Sequence, residues 1–516
     1  MQLGFVIDQS RCIGCHACTV ACKSENSVPV GDFRTWVKYT EEGTFPEVKR
    51  SYAVLRCNQC TDAPCIEICP TNALEKRPDG IVDINPDLCI GCKSCMHGCP
   101  YDALHINDET GTAEKCHFCA HRTEQGLAPA CAVVCPTEAI IPGDFDDPDS
   151  AVSRMRAKED LSRRKVEAGT GPNVFYKDVT EAAIDPGLTN LSGGSIWAQN
   201  PTGPRVDAQA FEAMEAKATE TEKARTVYDV PRNQLWGGKI TGYLWAKSIA
   251  AGLFPAAWLA ASAGGTGTST AASIGWLVPA LALVFLSITG VLLVLDLKRP
   301  DRFYYIIIRP NWSSWLARGT FIIMAYSGLL TLWGIWGIAG YDPGRSLGTF
   351  AAAVTCFIAL ATAAYTGWLF SQAKGRVLWM KRGYWFHLVI QAMLAGSSTL
   401  LIFGALMPWN EAATSRLQDI LVIALAGQWL MMSLENKMAP VGREAEYHRA
   451  ERLITAGPYA RLHWIGSVGI GVVIPLLLLV TGLGAPFAIL AGVLALAGLW
   501  IHEDVFVRAG QALPIS

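Results

Sequence analysis

Sixteen cysteines in four groups carry the chemistry most directly available to this chain. They are Cys12, Cys15, Cys18 and Cys22; Cys57, Cys60, Cys65 and Cys69; Cys89, Cys92, Cys95 and Cys99; and Cys116, Cys119, Cys131 and Cys135. The last three groups end on a C-x3-C-P step, with Pro70, Pro100 and Pro136 turning the chain away. Thiolates this densely spaced suit metal ligation better than a disulfide scaffold. Zinc needs only four ligands per ion and gives no reason for three such endings. The first and third groups read C-x2-C-x2-C-x3-C, in which three thiolates hold one [4Fe–4S] cube and the fourth reaches its neighbour.

An internal repeat supports iron–sulfur ligation. CIGCHACTVAC at 12–22 matches CIGCKSCMHGC at 89–99, and APCIEICPTNAL at 63–74 matches APACAVVCPTEAI at 128–140. The expected head is an α+β duplication of a two-cluster, ferredoxin-like unit, with sixteen thiolates for four [4Fe–4S] clusters. GIVDINPDLCIGC and ALHINDETGTAEKCHFC predict short strands that lead into cluster loops. His16, His97, His105, His117 and His121 are expected as neighbouring donors or surface residues, because the thiolates already fill the ligand sets.

Composition divides the chain. Hydrophobic residues make up 51% and charged ones 17%, but only Cys356 of the 17 cysteines follows residue 135, and long apolar runs begin near residue 240. Cys356, alone in an apolar run, is expected to be core. A net charge of −2 favours no nucleic-acid partner. The opening MQLGFVIDQSRC carries neither a secretory nor a twin-arginine pattern, which together with clustered thiols predicts a reducing compartment. The boundaries expected are 1–141 for the head, 142–239 for a polar wrapping linker and 240–516 for an all-α membrane domain. Within the linker, QAFEAMEAKATETEKARTVYD predicts one exposed helix.

Eight apolar segments, near 241–262, 273–295, 315–339, 349–371, 385–407, 417–434, 462–483 and 485–505, approach the ~20 residues a crossing needs. Loops on the head's side carry Lys298, Arg299, Arg302, Arg309, Lys374, Arg376, Lys381, Arg382, Lys437, Arg443, Arg449, Arg452 and Arg461; the far side has Arg345 and Arg416. Positive charge marks the cytoplasmic side, so the head is expected in the cytoplasm of a bacterial or archaeal cell, on its inner membrane.

Polar residues of the spans also gather near the head: Tyr243, Lys247, Asp296, Tyr365, His387, Gln391, Glu435, His463, His502 and Glu503. Ionisable groups at membrane depth are costly and usually functional. A stacked haem pair needs histidines near both faces, whereas the tail's histidines all lie on one, so no haem is expected. A quinone site remains, with an apolar slot, donors for the carbonyls and a titratable relay. Tyr243, Lys247, Asp296, Arg299, Tyr365 and His387 are its candidate residues. Each also has a plain structural role open to it: Asp296 could cap a helix and pair with Arg299 or Lys298, and Lys247 could snorkel.

Two known families resemble these segments. CIGCHACTVACKSEN, CNQCTDAPCIEICP, CIGCKSCMHGCPYDA and KCHFCAHRTEQGLAPACAVVCPTEAI resemble the four-cluster subunits of complex iron–sulfur molybdoenzymes, across roughly residues 5–177. That resemblance implies the ligand sets Cys12/Cys15/Cys18/Cys135, Cys116/Cys119/Cys131/Cys22, Cys57/Cys60/Cys65/Cys99 and Cys89/Cys92/Cys95/Cys69. LVLDLKRPDRFYYIIIRPNWSSWLARGTF and AAYTGWLFSQAKGRVLW resemble the NrfD-type membrane subunit of polysulfide reductase, across roughly 240–505. That likeness implies eight helices, a menaquinone or ubiquinone site, and roles there for Asp296 and Tyr365.

The chain is accordingly expected to fuse two subunits and to carry electrons between the quinone pool and a separate catalytic subunit with a molybdenum or tungsten pterin. The substrate chemistry would lie on that partner. Two alternatives are a redox-driven proton-translocating module, for which Asp342 and Glu411 are the evident far-side acids, and a molybdenum-free, ferredoxin- or dithiol-linked quinone oxidoreductase.

Overall fold

The run LGFVID is apolar on both faces of an extended chain, and it forms the fully buried strand β1 (Leu3–Asp8). The computed structural model describes residues 1–191, 224–230, 235–262, 273–340, 346–405, 409–482 and 484–516. After β1 come β2 (Thr35–Thr44), β3 (Glu47–Arg56), β4 (Leu74–Lys76), β5 (Val82–Ile84), β6 (Leu104–Asn107) and β7 (Thr112–Lys115). Then follow β8 (Ile140–Asp144), β9 (Leu161–Ser162), β10 (Val174–Lys177), β11 (Asn190–Leu191) and β12 (Ala224–Tyr228). One sheet has the order β8-β1-β10-β9 and another β11-β12-β2-β3, while β4–β5 and β6–β7 form two-stranded pairs beside the cysteine loops. The strands expected from GIVDINPDL and ALHINDETGTAEK are thus β5, β6 and β7.

The segment expected to be linker begins inside the head. Its β10 pairs in parallel with β1, Phe5 opposite Val174, and the helix Ala151–Lys158 is capped by Ser150, whose hydroxyl accepts from the Ser153 N–H at 3.1 Å. The helix expected over 209–229 falls mostly outside the described residues. Its end departs from that expectation: Ala224–Tyr228 is a strand, antiparallel to β2. β-Branched Thr226 and Val227 and aromatic Tyr228 favour the extended chain there.

Eight helices among the described residues are long and apolar enough to cross a membrane: Gly238–Ser262, Ile274–Asp296, Trp315–Ile338, Leu347–Ser371, Tyr384–Ile402, Glu411–Lys437, Leu462–Val480 and Ala485–Ala512. They are called the first to eighth membrane helices below. The first and fifth are the most enclosed, with 83% and 67% of their central windows buried, so they make the middle of the bundle. Exposed Phe357, Ile423 and Trp429 belong to the lipid-facing ring expected where the solvent is hydrocarbon.

One core cluster is common to head and bundle, while separate clusters fill the rest of the bundle and the head's sheets. A continuous apolar cluster runs from Cys57, Cys65, Cys95 and Cys99 through Trp236, Phe370 and Trp379 to Tyr243 and Tyr384.

Candidate functional site

The duplication inferred from sequence is also a duplication of backbone. In CIGC-H and CIGC-K, Gly14 and Gly91 hold φ of 70° and 65°, and the following His16 and Lys93 hold 59° and 65°. Three residues after the last cysteine of the second, third and fourth groups, Asn72, Asp102 and Glu138 again take positive φ, 56°, 57° and 52°. Left-handed backbone is costly for residues with a Cβ, so its recurrence at matching places reflects a loop shape imposed by what the thiols surround.

The thiols converge across the repeat. One small hollow is lined by Cys22, Cys116, Cys119 and Cys131. Another is lined by Cys57, Cys60, Cys65 and Cys99. Cys69 interacts electrostatically with Cys89, Cys92 and Cys95, and Cys12 with Cys15 and Cys135. Cys18 interacts with both Cys12 and Cys131, so thiols from both ends of the head stand near one another. Burial pushes the Cys18, Cys99 and Cys116 thiols up to about 11 and that of Cys92 up to about 12. Near neutral pH these sulfurs stay thiolates only against bound cations, and the donor sets fit iron–sulfur clusters.

Charge and N–H donors are aimed at the sulfurs. Arg56, fully buried, donates to Cys131 Sγ at 3.1 Å. The Ala113 and Ala139 N–H groups donate to Cys89 and Cys135 Sγ at 3.4 and 3.3 Å. Such contacts set cluster potentials. Among the histidines, His97 is buried against Trp236 and Trp379, ring centroids 4.1 and 4.9 Å away, and accepts from Arg376 Nε at Nδ1, 3.3 Å. His121 pairs with Glu25 at 2.8 Å and His105 lies 3.6 Å from Glu114.

The loops that end the membrane helices grip the second and third cysteine groups. Asn311 donates to the Ile66 and Cys69 carbonyls at 3.0 and 2.8 Å, and Ser314 to that of Ile68 at 2.8 Å. Arg302 donates to the Pro86 and Cys89 carbonyls at 2.7 and 3.3 Å. The Gly375 N–H donates to His97 O at 2.9 Å.

Beneath this contact the sequence candidates separate. Tyr243, Lys247 and Tyr365 come together: the two tyrosine hydroxyls lie 2.5 Å apart, Tyr243 Oη is 3.0 Å from Thr366 Oγ1, and Lys247 Nζ donates to Thr366 Oγ1 at 2.5 Å and to Ala363 O at 3.2 Å. All four side chains are buried. His387 belongs to a second cluster, where Nε2 faces Gln428 Oε1 at 2.9 Å and Lys381 Nζ donates to Glu435 Oε1 at 2.5 Å. Asp296 stands apart at the head contact, and its partner is neither Lys298 nor Arg299 but Lys93, at 2.9 Å. Arg299 is not part of the buried site either: it pairs with Asp301 and donates to Thr110 O at 3.2 Å, because its loop runs outside along the head.

Thr366, Lys381 and Gln428 were missed as site residues. A threonine beside Tyr365 carries no sequence signal of its own, and Lys381 is indistinguishable from the other basic loop residues until its burial is seen.

Residues 3–24 match the family model of a 4Fe-4S binding domain, 48–145 that of a 4Fe-4S dicluster domain, and 226–514 that of Polysulphide reductase, NrfD. The chain is similar to the arsenate respiratory reductase iron–sulfur subunit ArrB of a Shewanella species, 39% identical over 224 residues, covering 34% of this chain and 96% of that protein. A tetrathionate reductase subunit of Salmonella typhimurium is 42% identical over 201 residues, 38% of this chain and 80% of that protein. A polysulfide reductase chain of Wolinella succinogenes is 39% identical over 177 residues, 34% and 93%. The protein belongs to the NrfD polysulphide reductase family through its membrane half, joined to a 4Fe-4S dicluster head. It is a multi-pass membrane protein with iron–sulfur clusters, the electron-transfer and anchoring subunit for a separate catalytic subunit of an oxidoreductase complex.

Proposed function

We propose that the chain passes electrons between a molybdenum- or tungsten-pterin catalytic partner and a membrane quinone, through four [4Fe–4S] clusters held by the sixteen cysteines in the four sets above. When bound, the clusters supply one-electron carriers and the quinone a carrier of two electrons and two protons. The observation that carries this reading is the unbroken apolar core from the Cys57/Cys60/Cys65/Cys99 cavity to Tyr243. It keeps water out of the gap an electron must cross.

Tyr243, Tyr365 and Thr366 supply hydroxyl donors for a quinone carbonyl, with Lys247 behind them as the charge that favours oxygen bearing negative charge. Asp296 and Lys93 seal the head against the second membrane helix. The division into a head, a 142–239 segment that both completes and tethers it, and a 240–516 membrane domain follows the same logic.

The head is assigned to the cytoplasmic side of the inner membrane, supported by the excess of Lys and Arg in the loops on its side. Oxidation of a cytoplasmic substrate, with quinone reduced, suits that placement.

Co-purification from native membranes tests the reading as a whole. A large pterin-containing partner and close to sixteen iron atoms per chain are the expected result. Zinc in place of iron, or a chain that purifies without a redox-active partner, would overturn it.

A further inference from the structure

We propose that Glu503 is the proton-relay carboxyl of the membrane domain, exchanging protons with Lys247 on one side and with the Lys381–Glu435–His387 cluster on the other. This rests on the quinone reading above and adds the path by which protons reach it.

Glu503 is fully buried on the eighth membrane helix, and both of its carboxyl oxygens lack a hydrogen-bond partner among the described residues. A carboxyl so placed costs free energy unless something offsets it. What faces it is a pair of cations from two other elements. Lys247 of the first helix and Lys381, just before the fifth, both interact with it electrostatically. Tyr384 of the fifth helix faces both Glu503 and Glu435, and its hydroxyl also lacks a partner. Neighbouring His502 has an unpartnered Nε2 and lies against His387, ring centroids 5.4 Å apart.

The two flanks are continuous chains of polar atoms. On one, Lys247 Nζ, Thr366 Oγ1, Tyr243 Oη and Tyr365 Oη follow at 2.5, 3.0 and 2.5 Å. On the other, Lys381 Nζ stands 2.5 Å from Glu435 Oε1 and 3.5 Å from His387 Nδ1. Glu435 interacts further with His463 and His502, and closes the sixth helix where the head-side loop begins. His387, Glu435 and His502 also bring three ligand-type atoms within 4.8 Å of one another. The Lys381 ammonium already occupies that place, however, stacked on the Tyr384 and Phe506 rings at 4.6 and 4.5 Å. A divalent ion would have to displace it.

During quinone reduction, Lys247 gives up one proton through Thr366 and Tyr243 as an electron arrives from the iron–sulfur chain. No side chain among the described residues is within hydrogen-bond reach of the Glu503 oxygens. Through a bridging water on each side, the Glu503 carboxyl proton would restore the ammonium and the Lys381–Glu435–His387 cluster would reprotonate Glu503 from head-side water. Two passes match two electrons and two protons. Quinol oxidation runs the same path in reverse.

The test uses the full chain in lipid nanodiscs, its clusters reduced by dithionite and then reoxidised by a soluble quinone analogue, with wild type, Glu503→Gln and Glu503→Asp. The expected result is a tenfold or greater slowing of reoxidation in Glu503→Gln, a changed pH profile and solvent deuterium isotope effect, and partial recovery in Glu503→Asp. An unaltered cluster spectrum serves as the folding control. Wild-type kinetics, pH profile and isotope effect in Glu503→Gln would overturn the relay alone. A wild-type chain that leaves the quinone untouched would overturn the quinone reading and the relay with it. A stoichiometric non-cluster metal lost in His502→Ala would replace the relay with a metal site.

Discussion

Lys93, held with φ of 65° between Cys92 and Cys95, donates to Asp296 at the end of the second membrane helix across 2.9 Å. The two side chains are 10% and 12% exposed, so the ion pair is nearly dry and joins a cysteine loop directly to the membrane domain. Removing one partner of a buried pair leaves an uncompensated charge and costs about 3 kcal/mol or more, whereas replacing both with apolar residues is often neutral. Asp296→Leu alone should therefore lower the temperature at which the clusters bleach, and Lys93→Met with Asp296→Leu should recover most of the loss. A double variant no more stable than the single one would show that the contact is not coupled.

The hydroxyl pair of Tyr243 and Tyr365 should matter to the quinone and not to the clusters. Tyr243→Phe and Tyr365→Phe are each expected to slow quinone turnover about tenfold, the scale of one lost donor of roughly 1.4 kcal/mol. Reduction of the clusters by an upstream donor should stay at its normal rate. Steady-state turnover alongside cluster reduction measures both, and normal turnover in both variants would remove the tyrosines from the site.

Arg56 tests the assignment of the thiol sets. Its guanidinium lies 3.1 Å from Cys131 Sγ and interacts with Cys116 and Cys18 as well. A buried positive charge favours the reduced, more negative cluster. At about 5 Å and an effective dielectric of about 20 its attraction is roughly 3 kcal/mol, on the order of 100 mV for one electron. Arg56→Gln should lower the midpoint potential of one or both nearby clusters by a shift of that order, read by redox titration of their paramagnetic signals, while the Cys57 and Cys89 sets stay near their wild-type values.

Gly375 tests how closely the bundle must approach the head. A Cβ at this position would collide with the Cys99 carbonyl oxygen and sit 2.8 Å from His97 O, backbone that cannot yield without moving a cysteine loop. Gly375→Ala is expected to slow transfer from clusters to quinone, with cluster content retained. Unchanged transfer rates would indicate that this loop has room to spare.

Much of this was legible beforehand because its signals are local. Cysteine spacing gave the four groups, the repeat gave the duplicated loops, and hydropathy gave eight spans close to those observed. The sixth starts at Glu411 rather than near 417, since Asn410 caps it through the Ala413 N–H at 2.7 Å, a detail hydropathy does not register. The site proper was only half legible. Tyr243 and Tyr365 are 122 residues apart, and nothing in either neighbourhood announces the other.

Arg299 and Asp296 misled for a related reason. The helix end at Asp296 and the loop at Arg299 are polar where they dock onto the head, at Lys93 and Thr110. Docking also gives the basic loops a second role: Lys298, Arg302 and Arg376 bond Asp108, the Pro86 carbonyl and His97. Basic residues that bond the head in this way therefore say less about orientation than the rest of the basic set.

Iron–sulfur clusters in the head are expected to discharge into a quinone bound just beneath them. Stopped-flow absorbance of the purified, dithionite-reduced chain mixed with a quinone analogue tests it most directly. The clusters' visible absorbance is expected to return, with one quinone reduced for every two electrons released. Clusters that stay reduced in quinone, yet reoxidise at once with ferricyanide, would contradict it.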